Sequence, residues 1–257
     1  NYGMIDMMQG TQNSVNTYFT QLIRDVGICK SIDMAKKVGV KASMGTDLRS
    51  EQNNPSFVLG TADVTPLSMA EAYATFANRG KHCTPIILEE IKTADGKKLD
   101  VPDADCKQVI RKEVADGVNY VLESVAKRGT GRTAALGDGR DEAGKTGTTN
   151  DFTDSWYIGF TKQYTMGVWV GFDEAVSMGA GHAGSDDALP VWIDVMKEIH
   201  KGLPRKQFPV PSGLMTRSIC NFTGKVAGEF CTNTTLCMYS SGNAPTEICD
   251  GNHFNAN

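Results

Sequence analysis

Apolar residues recur at helical spacing through the first half of the chain and in short alternating runs through the second. In QNSVNTYFTQLIRDVG, residues 12–27, Val15, Phe19, Leu22, Ile23 and Val26 share one helical face, and Gly27 is a stop. A short helix is expected over 31–38. TPLSMAEAYATFANRG, from Thr65, carries a capping threonine, Pro66 at the first helical position and Gly80 as terminator. Its apolar face is Met69, Ala70, Tyr73, Phe76 and Ala77. Asp95-Gly96 stands between two alternating segments and predicts a β-hairpin. RKEVADGVNYVLESVAKRG predicts a helix with Val114, Val118, Val121, Leu122 and Val125 inward. Residues 129–144 are glycine-rich and irregular. TDSWYIGF and QYTMGVWVGFD are β-branched and aromatic, and a polar break at Thr161-Lys162-Gln163 joins them as an antiparallel pair. After a Gly-rich loop at 177–186, LPVWIDVMKEIHKG predicts a helix burying Trp192, Val195, Met196 and Ile199. Helices, then strands, then a helix indicate an α+β fold with a helical lobe and an antiparallel sheet.

Composition narrows the function classes. The chain has 257 residues, 40% hydrophobic and 22% charged, with a formal net charge of -4. An acidic balance gives no support to nucleic-acid binding. No apolar run approaches the ~18 residues that a membrane helix needs. The chain opens at Asn1 rather than at methionine, and it is expected to be a piece of a longer protein.

The cysteines are unevenly placed. Cys220, Cys231, Cys237 and Cys249 fall in a tail rich in Gly, Asn, Thr, Ser and Pro, with little to form a core. Such a segment is expected to be stapled, here by two disulfides that would place it outside the cytoplasm. Zinc is the rival reading, but none of the four sits in a C-x2-C pair, so no metal is expected. Cys83 and Cys106 flank the Asp95-Gly96 hairpin at similar distances. A disulfide is expected between them, with two free buried thiols as the alternative, and Cys29 is left over.

GRDEAGKT, residues 139–146, fits G-x-x-x-x-G-K-[ST], the phosphate-binding loop of nucleotide hydrolases. Its context does not fit. No strand leads into Gly139, Gly147 to Asn150 are poor helix formers, and Asp141 and Glu142 would stand inside an anion cradle. No nucleotide is expected. Read forward, the same lysine opens KTGTT on a strand with a return strand at 154–160. KTG belongs to penicillin-interacting serine enzymes. There Lys145 supplies positive charge, Thr146 and Thr148 supply hydroxyls for a carboxylate, and Gly147 admits a close backbone. Ser14-Val15-Asn16 supplies S-x-N, although Ser14 equally suits a helix N-cap.

NYG at 1–3, QNSVNTYFTQL at 12–22, VLGTADVTPLSMAEAYATFANRG at 58–80, RGTG at 128–131, AGKTGTTNDFTDSWYIGF at 143–160 and VWVGFDE at 168–174 resemble the transpeptidase domain of class A penicillin-binding proteins. PVPSGL at 209–214 and SGNAPTEICD at 240–250 are similar to the C-terminal extension of such proteins. The resemblance implies a serine β-lactamase/DD-peptidase-like fold, with residues 1–202 in the transpeptidase domain and 203–257 in the extension. It implies that Ser14 relays a proton between nucleophile and leaving amine. Asn16 would bind a substrate carbonyl. Lys145, Thr146 and Thr148 would bind the terminal carboxylate of a D-alanyl-D-alanine stem peptide of peptidoglycan or of a β-lactam. Gly147 and Thr149 would belong to the same binding strand, and the Thr148 amide to an oxyanion hole. No cofactor is implied. The parent would be anchored in the cytoplasmic membrane, carry a glycosyltransferase domain and act on the outer face.

One departure matters. The family's S-x-x-K nucleophile precedes S-x-N, and the 13 residues before Ser14 hold none. Ser124-Val125-Ala126-Lys127 is a match in the wrong order, and Ser241-Gly242-Asn243 is a second S-x-N decoy. The family also supplies two strands from sequence before the nucleophile, so the strand at 164–172 is expected to have an open edge. The chain alone is expected not to acylate. The rival functions are a DD-carboxypeptidase or β-lactamase-type hydrolase, and a non-catalytic peptidoglycan-binding module.

Overall fold

The computed structural model describes residues 2, 3, 5–240 and 242–253. Asn1 of NYG and the decoy serine Ser241 lie outside the described residues. The helices are α1 (Met7–Gln12), α2 (Asn16–Val26), α3 (Ile28–Lys37), α4 (Pro66–Ala77), α5 (Lys112–Arg128) and α6 (Ala188–Ile199). The strands are β1 (Lys81–His82), β2 (Ile91–Lys92), β3 (Lys98–Leu99), β4 (Lys107–Gln108), β5 (Ala143–Thr148), β6 (Asp154–Phe160), β7 (Thr165–Gly171), β8 (Leu214–Cys220) and β9 (Thr234–Ser240).

The central sheet is antiparallel, in the order β5-β6-β7. Lys145 faces Ile158 and Gly147 faces Trp156 across its first ladder. β7 is paired on one side only, so the anticipated open edge is present among the described strands. Helices cover both faces. On one face Tyr73 of α4 meets Phe160 edge-on at 6.2 Å. On the other, Trp192 of α6 meets Tyr157 at 5.2 Å. α5 follows the β5 side and feeds both layers, with Leu122 packed against Phe160 and Ala126 against Tyr157.

Local chemistry explains several boundaries. Thr65 Oγ1 accepts the Ser68 N–H at 3.2 Å and Pro66 follows it, so α4 starts where anticipated. Gly80 closes that turn at φ +80, and a Cβ there would lie 2.3 Å from Ile110 O. The Asp95-Gly96 turn joins β2 and β3, and Cys83 and Cys106 are disulfide-bonded at its root.

Other expectations are corrected. The helix anticipated over 12–27 is present as α2 but starts only at Asn16, because Asn13 to Val15 leave helical geometry, with Ser14 at φ +54, and a separate short helix, α1, precedes them. The apolar face of α4 packs half-buried, Tyr73 and Ala77 against Phe160 and Leu122 and Phe76 against Val38 and Ile110, but the fully buried positions are Ser68, Glu71, Ala72 and Thr75. That polar stripe can be buried because it is satisfied. Glu71 meets His82 Nε2 at 2.7 Å and Lys41 Nζ at 3.3 Å, and the Thr75 hydroxyl donates to Val38 O at 3.1 Å. Val26, Val114, Val195 and Ile199 are exposed rather than inward. Each helix is covered only where a neighbour crosses it, as α6 is along Leu189, Trp192 and Met196.

The cysteine tail also differs from expectation. Cys220, Cys231, Cys237 and Cys249 are all free, not paired. Register is the reason for Cys237: the β8–β9 ladder sets Cys220 opposite Thr234 and Cys237 opposite Arg217. Positions 234 and 237 point to opposite faces of the hairpin. Cys237 therefore faces α1, where its thiol meets Asp6 Oδ2 at 3.4 Å.

Candidate active site

Lys145 stands in the middle of β5, and its Nζ donates to Ser14 Oγ at 2.8 Å and to Thr146 O at 2.9 Å. The two motifs, 131 residues apart in sequence, meet at this hydrogen bond. Ser14 is not a helix cap: Val15 takes that position, and no side chain caps the helix. The left-handed backbone at Ser14 is an uncommon conformation for a serine, of the sort held in place where a side chain must be aimed. Asn16 opens α2, exposed to solvent, and its side chain makes no hydrogen bond among the described residues.

The lysine is largely withdrawn from water. Loss of hydration disfavours its charged form and pushes the ammonium down to about 8. Beside it lies a cleft of about 460 Å³. One wall is β5 from Lys145 to Thr148 with Trp156 and Ile158 of β6, and the other is residues 59–64 with Met69 and Tyr73 of α4. A cationic end in a partly apolar cleft suits a ligand with a terminal carboxylate.

The remaining motif residues divide by what their hydroxyls touch. Thr146 Oγ1 shares a hydrogen bond with Thr130 Oγ1 at 2.7 Å. Thr148 Oγ1 accepts the Gly184 N–H at 3.0 Å. Thr149 is built into the β5–β6 turn, where its hydroxyl accepts the N–H groups of Thr153 and Asp154 at 3.0 and 2.8 Å. Gly147 lies flat against Trp156, whose Cβ would be 3.2 Å from a Cβ on the glycine.

Thr130 is a site residue that spacing rules did not single out, although RGTG was in view. Its N–H donates to Gln12 O at 3.0 Å, just before Ser14, while its hydroxyl reaches β5. Gly129 makes this approach feasible, since a Cβ there would lie 2.6 Å from Gln12 O. RGTG is thus a strut that fixes the S-x-N segment against the KTG strand.

The decoys fall away in three dimensions. Lys145 is mid-strand, not at a helix N-terminus, so GRDEAGKT is no phosphate cradle. Its acidic pair staples loops: Glu142 accepts the Leu136 N–H and Asp141 the Phe208 N–H, each at 2.7 Å. Ser124 is buried and donates to Val121 O at 2.6 Å, while Lys127 pairs with Glu123 on the surface of α5.

The KTG lysine on a sheet-edge strand is thus bonded to the serine of S-x-N, beside a cleft walled by β5, β6 and α4. The chain belongs to the penicillin-binding protein transpeptidase family, whose domain model matches residues 1–187. A second model, the C-terminal domain of penicillin-binding protein 1A, matches residues 210–253. Penicillin-binding protein 1A of Aquifex aeolicus is 34% identical over 248 residues, covering 96% of this chain and 33% of its own length. Its counterpart from Neisseria cinerea is 33% identical over 219 residues, covering 83% of this chain and 27% of its own length. The chain therefore spans about one third or less of these curated relatives. Among solved structures, penicillin-binding protein 1A from Haemophilus influenzae superposes with a TM-score of 0.79 at 26% identity, over 95% of this chain and 41% of that one. PonA1 from Mycobacterium tuberculosis in complex with penicillin V superposes with a TM-score of 0.72 at 28% identity, over 82% and 61%.

Proposed function

We propose that this chain carries the carboxylate-binding and proton-relay part of a DD-transpeptidase that cross-links peptidoglycan stem peptides. The observation that carries the reading is the 2.8 Å hydrogen bond to Ser14 Oγ from the Nζ of Lys145, which lines the cleft. In the reaction a serine hydroxyl of the parent attacks the carbonyl carbon of the penultimate D-alanine. The C–N bond breaks, an acyl-serine ester forms, and Ser14 hands the serine's proton to the departing D-alanine nitrogen. An amine of a neighbouring stem peptide then attacks the ester and regenerates the serine. Lys145 keeps positive charge beside the relay and holds the terminal carboxylate, Asn16 offers its amide to the substrate backbone, and Gly147 and Thr148 present the strand edge along which the peptide lies. A β-lactam enters as a mimic of the same dipeptide.

Ser14 is the serine at Lys145 among the described residues, and the only S-x-x-K lies on α5 with its serine turned inward. On this reading the isolated chain binds a carboxylate-bearing ligand without being acylated. We assign residues 1–202 to the transpeptidase body and 203–257 to the extension. We place the parent on the extracytoplasmic face of the membrane, tethered and joined to a glycosyltransferase domain. None of the helices described here is long and apolar enough to cross a membrane. Two arms test the reading. A fluorescent penicillin should leave no covalent label on the chain, whereas a stem peptide ending in D-Ala-D-Ala should bind reversibly and lose affinity in Lys145→Ala, with partial retention in Lys145→Arg. Covalent labelling of Ser14, or binding indifferent to Lys145, refutes it.

A further inference from the structure

The C-terminal extension has very little apolar interior. From residue 203 onward the buried described residues are Ile219, Cys220, Cys237 and Cys249. Where a core would be, three cysteines and a histidine converge. Cys220 ends β8, Cys231 stands in the turn leading to β9, and Cys249 follows the bridge that pairs Val226 with Ile248. His253 comes four residues later. The ligand atoms of all four lie within 4.8 Å of one another.

The nitrogen–sulfur distances within this cluster match those around a shared ion. His253 Nε2 lies 3.4 Å from Cys220 Sγ, 3.7 Å from Cys231 Sγ and 3.4 Å from Cys249 Sγ. A tetrahedral ion with Zn–S of about 2.3 Å and Zn–N of about 2.0–2.1 Å holds sulfur and nitrogen about 3.5–3.6 Å apart. A disulfide would draw two of the sulfurs to about 2.05 Å, and here all three are free.

The surroundings hold the four in place. Phe222 stacks on the His253 ring at 4.7 Å and 30°, which fixes the ring's plane. Backbone hydrogen bonds anchor each cysteine: Cys220 N to Lys225 O at 2.9 Å, Cys231 N to Gly228 O at 3.1 Å, and Cys249 N to Val226 O at 2.8 Å. Gly228 admits the segment that carries Cys249, since a Cβ there would lie 2.2 Å from Cys249 O.

We propose that Cys220, Cys231, Cys249 and His253 form a closed Cys3His zinc site that holds the C-terminal extension together. All four positions come from the protein, the mark of a structural rather than a catalytic ion. The spacing, C-x10-C-x17-C-x3-H, carries no C-x2-C pair and so escapes a reading by local pattern. The ligands are brought together by the β8–β9 hairpin and the Val226–Ile248 bridge instead. In a segment this poor in apolar contacts, binding the ion would supply much of the free energy of folding. The site is independent of the transpeptidase reading, which concerns the cleft at Lys145.

The test uses the full chain, purified with its thiols reduced and given zinc. Elemental analysis, and zinc released by a thiol-blocking mercurial, should give about one zinc per chain. Cobalt put in place of zinc should show thiolate charge-transfer and tetrahedral d–d bands. Cys249→Ser and His253→Ala should each weaken zinc binding by more than about tenfold, whereas Cys237→Ser, buried but outside the cluster, should keep it. If a ligand variant fails to fold, a chelator added to the unaltered chain gives the same information: the extension should become protease-sensitive while residues 1–202 stay resistant. Less than about a tenth of a zinc per chain after reconstitution overturns the proposal. So does full retention by Cys249→Ser, or a disulfide among the three cysteines, found by mass spectrometry, in protein exported to an oxidising compartment.

Discussion

Replacing Gly144 with alanine should destabilise the fold by about 1–3 kcal/mol. A Cβ at this position would lie 2.4 Å from the Tyr157 hydroxyl, 2.7 Å from Tyr157 Cζ and 2.8 Å from Ile158 O. Favourable carbon contacts begin near 3.5 Å, so something must move by roughly 1 Å. The ring has nowhere to go, being fully buried and held edge-on by Trp192. Alanine also reduces the freedom of the unfolded chain, which offsets about 0.4–1 kcal/mol. For a chain of this size each kcal/mol shifts Tm by about 2–4 °C, so a fall of about 2–12 °C is expected. The partner variant sharpens the test. The Tyr157 hydroxyl is buried with no hydrogen-bond partner among the described residues, and burial raises its pKa well above the usual tyrosine range. Tyr157→Phe therefore removes an unsatisfied group and should leave stability unchanged or raise it by about 1 kcal/mol. In the double variant the nearest atom is gone but Cζ remains, so a favourable coupling of about 0.5–1.5 kcal/mol is expected. Urea denaturation followed by circular dichroism, with the slope unchanged, measures all four corners of the cycle. A neutral Gly144→Ala, or a Tyr157→Phe that loses more than about 1 kcal/mol, would refute the view that Gly144 is there to admit Tyr157.

Three further outcomes follow from the site and its supports. Because Lys145 is held down to about 8, binding of a carboxylate ligand should be full below that pH and fall up to about tenfold per pH unit above it, until the ligand-bound lysine itself loses its proton; calorimetric titration from pH 6 to 10 reads this, and a flat profile contradicts it. Thr130→Val should lower stability by only about 0.5–1.5 kcal/mol yet weaken carboxylate binding, with Thr130→Ser restoring it, because the hydroxyl positions Thr146. Glu71→Ala should lose about 1.5–3 kcal/mol in thermal unfolding, whereas the exposed Leu67→Ala on the same helix should change it by less than about 0.5 kcal/mol.

What could be read from the sequence depended on how local each cause was. The start of α4 was legible because Thr65 and Pro66 act within one turn. The β6–β7 hairpin was legible because β-branched and aromatic residues flank the short polar turn at Thr161-Lys162-Gln163. The disulfide at Cys83 and Cys106 followed from the Asp95-Gly96 turn between them. The apolar face of α4 was legible, but its buried polar positions were not, since Glu71 and Thr75 are inward by virtue of His82, Lys41 and Val38 from other segments. The start of α2 was nearly legible, since its apolar face begins at Val15, but the left-handed backbone at Ser14 was not, because no residue near it in sequence dictates it and its hydroxyl meets Lys145, 131 residues away. The tail misled for the same reason: its cysteines look like disulfide partners along the chain, and only the hairpin register separates Cys237 from the other three.

The disulfide at the base of the β2–β3 hairpin has a consequence for what the fold tolerates. β1 and β4 pair as Lys81 with Gln108 and His82 with Lys107, the Thr84 N–H donates to Ala104 O at 2.7 Å, and Cys83–Cys106 locks the root. Past that root the segment projects into solvent, with Ile87 95% exposed. The ends of α4 and α5 are therefore held at a set separation whatever lies between the two cysteines. The hairpin is a detachable handle: it can be shortened, lengthened or exchanged for a tag or an epitope while the cleft at Lys145 stays as it is.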